Sequence, residues 1–176
     1  MSICINPHCS KQENSDNELF CHNCGSELLL KGRYKVIKPL GKGGFGATYE
    51  VSDSRHSKTK VLKVLINNQP KAVELFKREA EVLKILDHPG IPRVEQNGDF
   101  IYLVRNSQQP LHCLVMEKVE GMDLYSYLKR RGNNPIDEDS AVQWLKEIVI
   151  ILQLVHEQNY FHRDIKPPNI MLRAIS

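Results

Sequence analysis

Near the end of the chain, His162, Arg163, Asp164, Lys166 and Asn169 crowd into the run HRDIKPPN. A carboxylate, an ammonium and a primary amide at this spacing supply three things that phosphoryl transfer needs. Asp164 can accept a hydroxyl proton, Lys166 can neutralise a moving phosphoryl group, and the Asn169 amide oxygen can ligate Mg2+. An ordinary surface turn requires none of these. Upstream, PLGKGGFGATYEV sets Gly41, Gly43 and Gly46 in a G-x-G-x-x-G pattern. Dinucleotide-binding folds use the same pattern, with a helix opening at the glycines. Here ATYEV follows, a run rich in strand formers. The expectation is therefore strand, glycine loop, strand: a flap whose amides lie over phosphates without Cβ clashes.

A third group links strand and helix. In KVLKVLI, alternation places Val61, Lys63 and Leu65 on one face and Leu62, Val64 and Ile66 on the other. A lone ammonium among apolar neighbours is costly, so an anion is expected beside Lys63. The helical run KAVELFKREAEVLKIL offers Glu79, at helical spacing from Leu75, Phe76, Val82 and Leu83 and so inside the apolar stripe. These periods predict an interior Lys63–Glu79 ion pair.

The first 24 residues hold another kind of chemistry. Cys4-x4-Cys9 and Cys21-x2-Cys24 are two close pairs joined by a polar loop, the spacing of a tetrahedral Zn2+ site. Gly25 would let backbone amides turn towards the sulfurs. So small a segment cannot bury a core of its own, and metal binding is expected to supply its folding energy. Four cysteines complete the shell, which leaves His8 and His22 as bystanders. Structural zinc is the main reading; a redox sensor that releases metal on thiolate oxidation is the lesser one. Cys113 lies in an apolar run and reads as a core residue.

The elements that must carry these groups follow from local pattern. YKVIKPL, ATYEV and KVLKVLI read as strands, and the first helix ends at Asp87-His88-Pro89-Gly90. DFIYLV and LHCLVM flank RNSQQP as a hairpin. DLYSYLKR and residues 140–158 read as helices. This gives a cysteine module over 1–30, a strand-rich part over 33–118 and a helical part over 119–176. The 176 residues are 41% hydrophobic and 26% charged with a net charge of +3, too small to argue for nucleic acid. No apolar run approaches the ~20 residues a membrane span needs. The N-terminus has no secretory pattern, so the expectation is a cytoplasmic protein with reduced cysteines.

In order and spacing, these motifs resemble a bacterial serine/threonine protein kinase of the eukaryotic-like (Hanks) type, over about residues 33 to 173, preceded by a zinc ribbon. The resemblance implies an α+β fold: an N-lobe of antiparallel sheet plus one helix, then the first helices of a C-lobe. It implies ATP and Mg2+ as cofactors, beside structural Zn2+, and a protein substrate. Leu40, Gly41, Gly43, Gly44, Phe45, Gly46 and Thr48 would cover the nucleotide, with Thr48 where a valine is usual. Lys63, paired with Glu79, would hold the α- and β-phosphates. Met116 would be the gatekeeper, Glu117 to Val119 the adenine-binding hinge, and Asp123 a ribose contact. Asp164 would be the catalytic base, Lys166 the γ-phosphate contact and Asn169 a ligand of the second metal. Lys166 also favours the Ser/Thr over the tyrosine version.

The family's D-F-G, activation loop, A-P-E and substrate-binding helices do not follow Asn169 within the sequence. The expectation is a copy truncated after the catalytic loop and inactive alone. The alternative is a non-catalytic, zinc-anchored nucleotide-binding or interaction module, docking through the apolar helix 140–161.

Overall fold

A computed structural model describes residues 1–44, 46–105 and 107–173. The chain divides into two compact units: Met1–Glu81 with Arg93–Lys118, and Val82–Pro92 with the residues from Val119 onward.

The first unit is built on an antiparallel sheet of six strands. In chain order these are β3 (Leu29–Leu30), β4 (Tyr34–Lys42), β5 (Gly46–Asp53), β6 (His56–Leu65), β7 (Val94–Leu103) and β8 (Pro110–Glu117). Their spatial order is β3-β4-β5-β6-β8-β7. A short ladder of β1 (Ser2–Ile3) and β2 (Glu13–Asn14) precedes them. Helix α1 (Pro70–Ile85) follows β6 and opens on proline, whose missing N–H costs nothing in a first turn.

The core lies on one face of the sheet. Tyr34, Val36, Ala47, Tyr49, Val51, Leu62, Val64, Cys113 and Val115 are buried there. Leu62 and Val64 therefore point into the core, while Val61 and Lys63 occupy the opposite face. Ile3, Ile5 and Leu30 of the cysteine segment belong to the same core. Leu30 pairs with Tyr34 at the edge of the sheet, and the Tyr102 hydroxyl donates to the Glu27 carbonyl at 2.7 Å. The expectation of a segment folded by metal alone is thus corrected. Its apolar side chains cover the six-stranded sheet, and each fully buried Ile or Leu contributes about 1.5–3 kcal/mol. Cys113 is a core residue as expected, its thiol pushed by burial up to about 12.

One end of this sheet is held by charge. Arg33 donates to both Asp53 oxygens, at 2.7 and 2.5 Å, and to Glu95 at 3.2 Å. Lys60 pairs with Glu95, and His56 Nδ1 lies 2.9 Å from Asp53. The Asp53 side chain is wholly buried. Hydrogen bonds from Arg33 hold its carboxyl below the usual carboxylate range. A depressed folded pKa means stability that is present above the unfolded value, ~3.9, and lost as pH falls below it. Asp53→Asn, which leaves Arg33 with Glu95 as its one remaining carboxylate partner in this network, should cost about 2–3 kcal/mol at neutral pH. Urea titrations at pH 7 and pH 3 check both points: the gap between wild type and variant should narrow in acid.

The second unit holds β9 (Gly121–Asp123), α2 (Leu124–Arg130), α3 (Glu138–Glu157), a 3-10 turn (Pro167–Asn169) and β10 (Met171–Arg173). Strand β10 pairs antiparallel with β9, and a Cβ on Gly121 would meet the Leu172 carbonyl oxygen at 2.0 Å. Only glycine permits that approach. Asp123 caps α2 and Asp137 caps α3, each accepting a backbone N–H at 2.9 Å. On α3, Val142, Leu145, Val149 and Ile150 are exposed while Val155 is buried. No described helix is long and apolar enough to cross a membrane.

Candidate functional site

Strands β4 and β5 form the glycine hairpin. Gly41 pairs with Thr48, Lys42 with Ala47, and the Gly43 amide donates to the Gly46 carbonyl at 2.9 Å. The glycines have different reasons to be glycine. A Cβ on Gly46 would sit 2.1 Å from the Val64 carbonyl oxygen, so the close approach of β6 requires its absence. At Gly41, Gly43 and Gly44 a Cβ would meet open space, so packing within the chain does not demand glycine there. Leu40 is exposed beside them. Phe45, the remaining member of the expected loop, lies outside the described residues.

Thr48 pairs with Lys63 across β5 and β6. The Lys63 ammonium donates to Glu79 Oε1 at 2.6 Å and Oε2 at 2.7 Å, with Nζ 5.9 Å from the Phe76 ring centroid. The pair forms as expected, but it is not interior. Lys63 is 40% exposed and Glu79 25%. The reason is the choice of faces: the sheet puts Leu62 and Val64 in the core, leaving Lys63 on the side that α1 only partly covers. That opening is what a cation needs if it is to meet a phosphate.

Met116 neighbours Val61 across β6 and β8. The Glu117 amide donates to the Arg93 carbonyl at 2.7 Å, which fixes the last turn of backbone in the first unit. Val119 opens the second unit. There Asp123 spends Oδ1 on the Ser126 amide as the cap of α2, and that bond lowers its pKa. The family resemblance marks Asp123 only as a ribose contact; the signal for its cap is that Asp is among the residues favoured just before a helix.

The second unit gathers the terminal cluster. Lys166 Nζ lies 2.8 Å from Asp164 Oδ1. The Asn169 amide donates to Asp164 Oδ2 and to the Asp164 carbonyl, both at 2.8 Å. Hydrogen bonding from Lys166, then from Asn169, keeps the Asp164 carboxyl below its ordinary value. Asp164 is therefore an anion at neutral pH, able to accept a proton. Arg163 adopts φ +60°, a left-handed conformation that costs about 1–3 kcal/mol off glycine and is concentrated at functional sites. It turns the chain so that Asp164, Lys166 and Asn169 face one another.

The four cysteine sulfurs lie within 4.8 Å of one another, with Cys4–Cys24 at 3.6 Å and Cys9–Cys21 at 3.7 Å. Four thiolates at ~2.3 Å from Zn2+ would be ~3.8 Å apart, so the set fits that ion. Asn23 Nδ2 donates to Cys9 Sγ at 3.3 Å, an outer hydrogen bond of the kind that steadies a metal ligand. Burial pushes the Cys4 and Cys9 thiols up, a cost that a dication in place of the protons would remove. Gly25, at φ +68°, donates its amide to the Cys21 carbonyl at 2.7 Å rather than to a sulfur. That bond closes a tight turn after the Cys21–Cys24 pair. The expected amide-to-thiolate contact comes instead from Ser26, whose backbone hydrogen-bonds to Cys24 and, against the cost of burial, favours its thiolate.

An antiparallel sheet with a glycine hairpin, a strand lysine tied to a helix glutamate and a separate Asp-Lys-Asn cluster define a protein-kinase-like chain. The family model for the protein kinase domain matches residues 34–175, and the chain belongs to that family. It is 38% identical to Serine/threonine-protein kinase B of Synechocystis sp. over 98% of this chain and 30% of that protein, so the match runs through the cysteine segment. It is 35% identical to Serine/threonine-protein kinase pkn2 of Myxococcus xanthus over 82% of this chain and 16% of that protein. The chain thus spans a third or less of the length of these curated relatives. The crystal structure of a mutant of the Mycobacterium tuberculosis PknI kinase domain has the same fold, with a TM-score of 0.66 at 24% identity, covering 80% of this chain and 55% of that one.

Proposed function

We propose that this chain is the nucleotide-binding and catalytic-loop portion of a serine/threonine protein kinase that moves the γ-phosphate of Mg-ATP to a protein hydroxyl. The observation that carries the proposal is the two-oxygen Lys63–Glu79 pair, half open beside the glycine hairpin. In this reading Lys63 holds the α- and β-phosphates and Glu79 fixes its direction. Leu40, Thr48 and the glycine loop from Gly41 to Gly46 cover the nucleotide, and Met116, Glu117 and Val119 frame adenine, with Asp123 near the ribose. Asp164 accepts the hydroxyl proton, Lys166 meets the γ-phosphate, and Asn169 would hold a Mg2+ whose charge offsets that of the phosphates. Cys4, Cys9, Cys21 and Cys24 would hold a structural zinc, and the setting is the cytoplasm.

Incubation of the chain, supplied with a polypeptide carrying the D-F-G and substrate-binding half, with labelled Mg-ATP and a generic protein substrate, followed by phosphoamino-acid analysis, tests the proposal. Label on serine and threonine but not tyrosine is expected; label on none, with a competent kinase as control, contradicts it. A second reading rests on the exposed Val142, Leu145, Val149 and Ile150 of α3. Apolar surface of this kind suits a docking face, and a module acting by contact alone would retain its function in Asp164→Asn.

A further inference from the structure

Strands β5 and β8 do not touch through their backbones, because β6 lies between them. A side-chain bridge nevertheless spans the gap. Lys38, Glu50, Val61 and Met116 stand in one cross-strand row, on the face that also bears Thr48 and Lys63. Glu50 is the acidic member of that row, and its side chain is only 10% exposed. Its Oε2 lies 3.3 Å from the Lys118 ammonium and 3.5 Å from that of Lys38. Lys118 comes directly after β8; Lys38 belongs to the first half of the glycine hairpin.

We propose that Glu50 is a positioning residue, an electrostatic latch that fixes the residue 117–118 end of β8 against the glycine-hairpin strands through Lys118 and Lys38. A carboxylate this buried is stable only beside cations, so the two lysines cannot drift from it cheaply. Oε2 is shielded from solvent yet completes no hydrogen bond with either ammonium. Its hold on them is therefore charge attraction, which tolerates small sliding of the strands while opposing their separation. The latch couples the glycine hairpin to the backbone at Glu117 and Lys118. Its effect on nucleotide affinity rests on the nucleotide-binding reading above.

Glu50→Gln and Lys118→Met, singly and together, test the latch by hydrogen exchange over residues 38–52 and 111–118. Each single variant should raise exchange in both segments about tenfold, and the double variant should add nothing more. The affinity for Mg-ATP should fall about fivefold in each. Unchanged exchange in Lys118→Met, or additive effects in the double variant, overturns the latch. Lys118 is near the surface, so Lys118→Met decides the matter even where Glu50→Gln folds poorly. A wild-type chain that binds no Mg-ATP would defeat the nucleotide reading, while the exchange result would still judge the latch.

Discussion

With the D-F-G and substrate-binding half supplied, Asp164→Asn should slow γ-phosphate transfer by about 10²–10⁴-fold, the usual contribution of a positioned general base, with Mg-ATP affinity nearly unchanged. The amide has the carboxylate's shape, so its one oxygen can still accept from Lys166 at 2.8 Å, and Asn169, which loses the second oxygen, keeps its bond to the Asp164 carbonyl. What is lost is the ability to take a proton. Asp164 is exposed, so the melting temperature should move little. A parallel fall in affinity and melting temperature would instead mean that Asp164 only braces the loop against its strained Arg163. Steady-state kinetics with ATP varied, beside a thermal melt, separates the two.

The second large effect concerns the cysteines. Purified protein should carry one zinc per chain, and a strong chelator should lower its thermal midpoint by about 10 °C or more. The size follows from what the four thiolates hold in place. Ile3, Ile5 and Leu30 fill the core beside Tyr34, Leu62 and Val64, so releasing the segment uncovers the sheet that bears Lys63 on its other side. Cys21→Ser should reproduce the loss without chelator. Metal-free protein with an unchanged melt would reduce the cluster to four packed thiols.

The parts of this molecule that were legible in advance are those written in short-range periods. Period two in β6 and period 3.6 in α1 were enough to pair Lys63 with Glu79. HRDIKPPN was enough to group Asp164, Lys166 and Asn169. What alternation could not decide was which face of β6 is the core. Val61 and Leu65 are as apolar as Leu62 and Val64, and the choice is made by Ile3, Ile5 and Leu30, more than 30 residues upstream. That long-range packing turned an expected interior ion pair into one open to solvent. The Arg33–Asp53–Glu95–Lys60 network escaped notice for the same reason, since its members come from four different strands or their edges and leave no local spacing. Glu50 is a similar case: nothing in ATYEV marks it as a bridge, because Lys118 is 68 positions away in sequence.

Whether the Lys63–Glu79 pair meets a nucleotide is tested most directly by titrating Mg-ATP, by calorimetry, against the wild-type chain and Lys63→Met. Lys63 is 40% exposed, so the variant should fold with a near-native melt. Saturable binding by the wild type, weakened about 30-fold or more in Lys63→Met, is the expected result for loss of a charge partner to the phosphates. Equal affinity in the two proteins would contradict it, and would leave Lys63 as nothing more than a brace for α1.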